Sequence, residues 1–243
     1  MLPSIRSLLR DSFNYYKQNS ATLAGFAAWL LLPFAALVLI EFIQNDAVYV
    51  FVGGLISIIE IILSLWILII LILTSEKIIK KKELDISNLQ NRAKLLLPSL
   101  AFVMILELVI ILGGFVLLII PGLLFIIWFS YVEFAVVLDN KKGMGALTMS
   151  RNQFKNRFWL VAWKTIAGPM AIFFVYVIVI SIVLSIIGTV LGLDLQNTVF
   201  GETPPIWADI IATVSQIFLI PWIVLYTTIL YIDLKKNESK NNS

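Results

Sequence analysis

Long apolar runs divide the chain, and short polar segments rich in lysine and arginine separate them. A membrane-spanning α-helix needs about 20 predominantly apolar residues. Six runs meet that requirement: 21–43, 48–74, 95–119, 122–139, 158–188 and 207–232. The first is too long for the apolar region of a cleaved signal and lacks a small-residue cleavage site, so it reads as a retained helix. The third and fourth runs are almost continuous. A single helix over 95–139 would extend roughly 65 Å at about 1.5 Å per residue, twice a bilayer core. The division is therefore placed at Ile120-Pro121-Gly122, where proline and glycine together favour a turn. The fifth run is too long to stand upright, which calls for tilt or a bend at Pro169. The pattern predicts an all-α polytopic membrane protein whose six transmembrane helices form three hairpins.

The cations orient this arrangement. All 18 lysines and arginines except Lys164 fall in four segments: the N-terminus, residues 75–94, residues 140–157 and the C-terminal tail. In a six-helix threading these four segments share one side, and the positive-inside rule makes that side cytoplasmic. Five or seven helices would break the segregation. The expectation is a multi-pass protein of the cell membrane with both termini in the cytoplasm. Its domain plan is an amphipathic segment (1–20), a six-helix membrane domain (21–234) and a disordered polar tail (235–243).

The cytoplasmic segments are patterned as well. On a helical wheel of residues 2–17, Leu2, Ile5, Leu8, Leu9, Phe13 and Tyr16 share one face, with Arg6, Arg10 and Lys17 at its edge. That pattern suits a helix lying in the membrane interface, its three cations contacting anionic lipid headgroups. Residues 84–96 and 144–158 repeat it more weakly. Such a segment precedes the first, third and fifth helices, and each of those helices contains a proline (Pro33, Pro98, Pro169), which hints at three related hairpins.

Composition narrows the chemistry. The chain has 243 residues, is 60% hydrophobic and only 14% charged, and contains neither cysteine nor histidine. Disulfides, thiolate catalysis, cysteine-ligated metals and the commonest general base are thereby excluded. There is no phosphate loop, no metal-ligand cluster and no nucleophile–base pair, so no catalytic residue, cofactor or metal is assigned. The basic clusters all flank spans, which suits anionic lipid and not nucleic acid. The expected partners are the bilayer and its anionic headgroups; a second copy of the chain or another membrane protein remains open.

The stretch from Gly113 to Trp159 carries a pattern: Ile120-Pro121-Gly122, then Val136-Val137-Leu138-Asp139, a basic glycine-containing turn, Ala146-Leu147-x-x-Ser150, and Phe158-Trp159 opening the next helix. It resembles a broad group of prokaryotic six-helix membrane proteins. One branch is named for the membrane region attached to some glycerophosphodiester phosphodiesterases, and another comprises uncharacterised bacterial inner-membrane proteins. The resemblance implies the six-helix layout. It implies no activity, because the phosphodiesterase chemistry belongs to a separate barrel domain whose ligands have no counterparts here.

Four polar residues interrupt the apolar runs. Glu60 and Glu107 each lie about 12 residues into their helices, roughly 18 Å deep and near the midplane. Glu133 and Lys164 lie at matching depths near the cytoplasmic side, which predicts an ion pair between them. An acid at the bilayer centre costs on the order of 2.5–3.5 kcal/mol, so such residues either line a pathway for protons or cations or hydrogen-bond a neighbouring helix. Three functional classes follow. The leading one is a non-enzymatic scaffold, regulator or lipid-organising protein. The alternatives are a small transporter or channel using Glu60 and Glu107, and a membrane-embedded enzyme.

Overall fold

A computed structural model describes residues 2–40, 45–190, 192 and 206–241. These residues form helices and turns, with no strand among them. The helices are α1 (Ile5–Ala27), α2 (Leu31–Ile40), α3 (Asp46–Ile79), α4 (Ile86–Leu117), α5 (Ile119–Phe129), α6 (Val132–Asp139), α7 (Met144–Asn152), α8 (Phe158–Val190) and α9 (Ile206–Asn241). Six helical stretches are long and apolar enough to cross a membrane: Ile5–Ile40, Asp46–Ile79, Ile86–Leu117, Ile119–Asp139, Phe158–Val190 and Ile210–Asn237. The protein is thus an all-α, polytopic, membrane-embedded protein. Three helix starts are fixed by side chains that accept an otherwise orphaned N–H: Ser4 from Ser7, Asn45 from Val48 and Asp85 from Asn88.

The expected elements are present, with four differences. First, the amphipathic N-terminal segment runs on helically into the first apolar run. It joins that run through a bend at Asn19 (φ −125°, ψ 16°) and a 3₁₀ turn at Ala28–Leu30. Second, the third and fourth runs separate at Leu118, whose backbone is extended, and not at Pro121-Gly122. Pro121 is the third residue of α5, where a missing N–H costs no helical bond. Gly122 serves the closure of the α4–α5 hairpin: a Cβ there would lie 2.5 Å from the Phe115 ring, and one on Gly114 would lie 2.6 Å from Phe125. Third, the fourth span is two helices, α5 and α6. Fourth, α9 continues through the polar tail to Asn241, so residues 235–241 are helical where disorder was expected.

The hairpins converge at one end. The last turns of α3, α6 and α9 meet where Glu76, Lys80, Asp139, Tyr231 and Lys235 surround one pocket. The first turns of α1 and α8 join them, with Lys164 Nζ donating to the Pro3 carbonyl at 2.5 Å and Arg157 to the Leu234 carbonyl at 3.2 Å. This is the end that carries the cations. Here α3 is a buried post, with Ile67 and residues 69–75 shielded from solvent. The sixth span is also central, with Leu225, Tyr226, Leu230, Tyr231 and Leu234 buried, whereas α8 is mostly exposed.

Towards the other end the helices separate. There α3 is exposed on nearly every side except a stripe through Val52, Ile56, Glu60 and Leu63. A Cβ on neighbouring Gly53 would lie 3.2 Å from Ile40 Cδ1, so this stripe faces α2. In α4 the shielded stripe is Leu100, Val103, Glu107, Ile110 and Gly114; in α8 it is Ile172, Tyr176, Leu184 and Gly188. Tyr176 fastens the α8–α9 pair there by its hydroxyl, 2.7 Å from Ser215 Oγ and 3.2 Å from the Ala212 carbonyl. The spacings of three and four residues are those of helices touching along one seam. The remaining faces, Ile58, Ile59, Phe102, Ile105, Phe174, Ile178 and others, are exposed and apolar, as surfaces in lipid are.

Lipid is as apolar as leucine, so helices in a bilayer associate through close packing and hydrogen bonds and not through hydrophobic burial. Gly168 is the clearest instance. A Cβ there would fall 1.9 Å from Tyr226 Cζ, and the Tyr226 hydroxyl donates to the Lys164 carbonyl at 2.9 Å, one turn before Pro169. Gly168→Ala is expected to destabilise the protein by about 1–3 kcal/mol through overpacking. Gly25→Ala, where the added carbon meets nothing within 4 Å, is expected to be neutral or slightly stabilising. Thermal unfolding of the two variants in detergent checks the pair.

Candidate functional site at the broken fourth span

The fourth span stops at Phe129 and resumes at Val132. Between them Tyr131 has φ −119° and ψ 14°, outside the helical region. A break inside hydrocarbon frees backbone groups that water cannot reach, and it persists only where the protein supplies partners. Ser150 of α7 supplies two. Its hydroxyl donates to the Trp128 carbonyl at 2.7 Å and accepts the Tyr131 N–H at 3.1 Å. Ser130 donates to the Ile127 carbonyl at 2.5 Å. The Tyr131 hydroxyl lies 2.6 Å from Thr165 Oγ1, which itself donates to the Val161 carbonyl at 2.9 Å, so Tyr131 is the donor of that pair. Its ring is fully buried against Phe134, Phe154 and Tyr231.

This arrangement gives the Ala146-Leu147-x-x-Ser150 pattern its physical meaning. The three residues share one face of α7 and all are buried. Ala146 and Leu147 seat the short helix, and Ser150 enters the break. The sequence pointed to Ser150 as part of a spacing, without its role. Tyr131 and Thr165 gave no signal, since an aromatic and a hydroxyl inside apolar runs are ordinary there.

The acids are placed as follows. Glu133 is the second residue of α6, at the start of a half-helix, where the aligned peptide dipoles favour negative charge. Its carboxylate accepts from its own backbone N–H. Glu107, on the shielded stripe of α4, is close enough for the Glu133 charge to act on it. Glu107 and Glu133 thus sit on helices that pack against each other, α4 and α6. Glu60 is half-shielded on the α3 stripe facing α2. Among the described residues, no ion pair or hydrogen bond to another side chain engages any of the three.

The expected Glu133–Lys164 ion pair is absent. Lys164 is buried and turns to the Pro3 carbonyl at the start of the chain. The reason is topological: α8 packs chiefly against α9 and α1, whereas α6 packs against α3, α4 and α7. Matching depth did not bring the two residues to matching faces.

Arg6, Arg10 and Lys17 are exposed along α1, with Arg10 Nε 3.3 Å from Asp11 Oδ1. The apolar face they border is turned towards the protein. Leu8 and Ser12 are buried, Trp222 Nε1 donates to Ser12 Oγ at 3.2 Å, and the Phe13 and Tyr16 rings lie against Trp222. The helix is therefore docked on α9, and its cations face outward from that seam. Two open grooves flank α7 at the basic end. One, of about 560 Å³, lies between α5, α7 and the start of α8. The other, of about 790 Å³, lies between α4 and the Asn140–Gly143 turn.

No group of three or more metal-ligating side chains occurs among the described residues. Comparison with protein-family models, curated proteins and solved structures gave no match.

Ser150→Ala leaves the Tyr131 N–H and the Trp128 carbonyl without their partner. A loss of about 1–3 kcal/mol is expected, against about 1 kcal/mol or less for Tyr131→Phe. Unfolding midpoints in detergent rank the two variants, and the reverse order contradicts the clamp. Lys164→Met and Glu133→Gln are expected to act additively, within about 0.5 kcal/mol, because the residues do not touch. A double-mutant cycle on the same unfolding signal measures that coupling, and mutual rescue would restore the ion pair.

Proposed function

We propose that this protein is a non-enzymatic, lipid-engaging component of the cell membrane, with both termini in the cytoplasm. The observation that supports this reading most strongly is the asymmetry between its ends. The basic end is packed, hydrogen-bonded and grooved, whereas the other end is three seamed helix pairs with broad apolar faces. Such a body anchors itself in one leaflet's interface and presents cations to it, while the splayed half is solvated by acyl chains. The likeness of the Gly113–Trp159 pattern to non-catalytic membrane regions accords with this role, as does the lack of any metal-ligating or nucleophile–base cluster in the sequence.

A second reading rests on one specific observation, the placement of Glu107 and Glu133 on the packed helices α4 and α6 beside a helix break. Discontinuous helices with intramembrane acids recur in transporters, where the half-helix ends face the transported ion. On that reading the two acids carry a proton or a cation across the midplane.

Two outcomes are expected. With Asp46→Cys and Gly145→Cys introduced singly, a membrane-impermeant thiol reagent labels the first and not the second in intact cells; the opposite pattern contradicts the orientation. The purified protein in mixed phosphatidylcholine–phosphatidylglycerol vesicles retains phosphatidylglycerol preferentially, read as stronger quenching of its tryptophans by brominated phosphatidylglycerol than by brominated phosphatidylcholine. Equal quenching by the two lipids contradicts lipid engagement.

A further inference from the structure

The groove between α5, α7 and the start of α8 is built for one kind of occupant. Its walls are Leu124 and Trp128 from the fourth span, Arg151 and Lys155 from α7 and the turn after it, and Phe158 and Trp159 from the first turn of α8. It therefore has a cationic rim and an aromatic, apolar floor, and none of its lining residues is acidic. We propose that this groove binds the phosphate of an anionic phospholipid, with the glycerol and upper acyl chain lying along Leu124, Phe158 and Trp159. The inference deepens the lipid-engaging reading and rests on it.

Four features converge on this assignment. The first is preorganisation of a cation. The Arg151 guanidinium lies 4.7 Å from the centre of the Trp128 ring, which fixes its position while leaving its fork of donors free. The second is rigidity. The segment that carries both cations is pinned by buried Ser150 on one side and buried Phe154 on the other. Successive backbone bonds from Gln153, Phe154 and Lys155 to the carbonyls three residues earlier hold the turn. Arg151 and Lys155 both line the groove, where their like charges repel in the absence of an anion.

The third feature is the α8 N-terminus. Phe158 and Trp159 are its first two residues, and the N–H groups of a first helical turn have no partner within their own helix. They add a positive dipole end to the two side-chain charges. The fourth is depth. Trp159 and Trp163, one turn apart, are 82% and 65% exposed. Exposed indoles at the end of a span mark the headgroup level, where one edge of the ring is wet and the rest is in hydrocarbon. A groove at that level meets lipid phosphates. Basic pockets between spans on the cytoplasmic side are how membrane proteins hold anionic headgroups.

The test uses the full chain reconstituted in mixed vesicles of phosphatidylcholine and phosphatidylglycerol. Tryptophan quenching by brominated phosphatidylglycerol against brominated phosphatidylcholine gives the relative affinity for the anionic lipid. Arg151→Gln and Lys155→Gln are each expected to weaken that preference about fivefold, the effect of one interfacial cation. Arg151→Lys with Lys155→Arg keeps both charges and is expected to retain most of it. Lys155→Gln leaves the Arg151–Trp128 contact intact and so reads out the site without disturbing the fold. Lys81→Gln with Lys82→Gln, in the exposed turn after α3, serves as the control for diffuse attraction.

Selective loss at Arg151 and Lys155 supports the site. Equal loss in the control variant overturns it in favour of diffuse electrostatics, while the lipid-engaging reading stands. No preference in the unmutated protein overturns both. Displacement of the brominated lipid by soluble glycerol 3-phosphate would assign the groove to a water-soluble phosphate and overturn the lipid assignment alone.

Discussion

A backbone group placed in hydrocarbon must find its partner inside the protein, because no water is available to replace one. Most of this chain obeys that constraint in the simplest way, by forming unbroken helices. The fourth span does not, and the architecture of the basic end is arranged around its interruption. Ser150 serves both sides of the break, α7 exists as the short helix that delivers Ser150, and the tight turn after α7 then sets the direction in which α8 enters the bilayer. The buried Tyr131 ring fills the space that the break opens and ties it to α8 through Thr165.

The same constraint separates the two ends of the molecule. Polar partners are concentrated at the basic end, where Asp139, Tyr231, Lys235, Arg157 and Lys164 link helices distant in sequence. At the other end, apart from the Tyr176 hydroxyl between α8 and α9, the helices meet mainly by van der Waals contact, each pair along one stripe. Glycine governs how closely helices meet at several points along the molecule. Gly168 admits the Tyr226 ring, and Gly114 and Gly122 let α4 and α5 fold back upon each other.

Much of this was legible in the sequence. The six spans, their hairpin order and the gathering of cations at one end follow from run length and charge position, which are one-dimensional properties. Position along a span is legible too, since it is a count of residues from a boundary. Facing is not. Glu133 and Lys164 match in counted depth but belong to helices with different neighbours, and only the packing order reveals that Lys164 turns to Pro3 while the helix of Glu133 packs against α3, α4 and α7. The break at Ser130-Tyr131 was hidden for a related reason. Neither residue forbids a helix, and the interruption depends on a hydroxyl that arrives from 19 positions further along. The amphipathic face of α1 was correctly patterned but its counterpart was not identifiable, because a membrane surface and a neighbouring helix present the same apolar requirement.

Two unpartnered acids beside a broken helix are the one feature that could carry ions and not merely hold a fold. Water access at their depth decides between a lipid-engaging body and a conduit. The direct measurement places a cysteine at Glu107, and in a second variant at Glu60, and exposes the reconstituted protein to a small membrane-impermeant thiol reagent. The account predicts no reaction at either position, because both side chains are half-shielded on helix seams whose other faces are apolar. Labelling at Glu107 would establish an aqueous path to the middle of the membrane and contradict it.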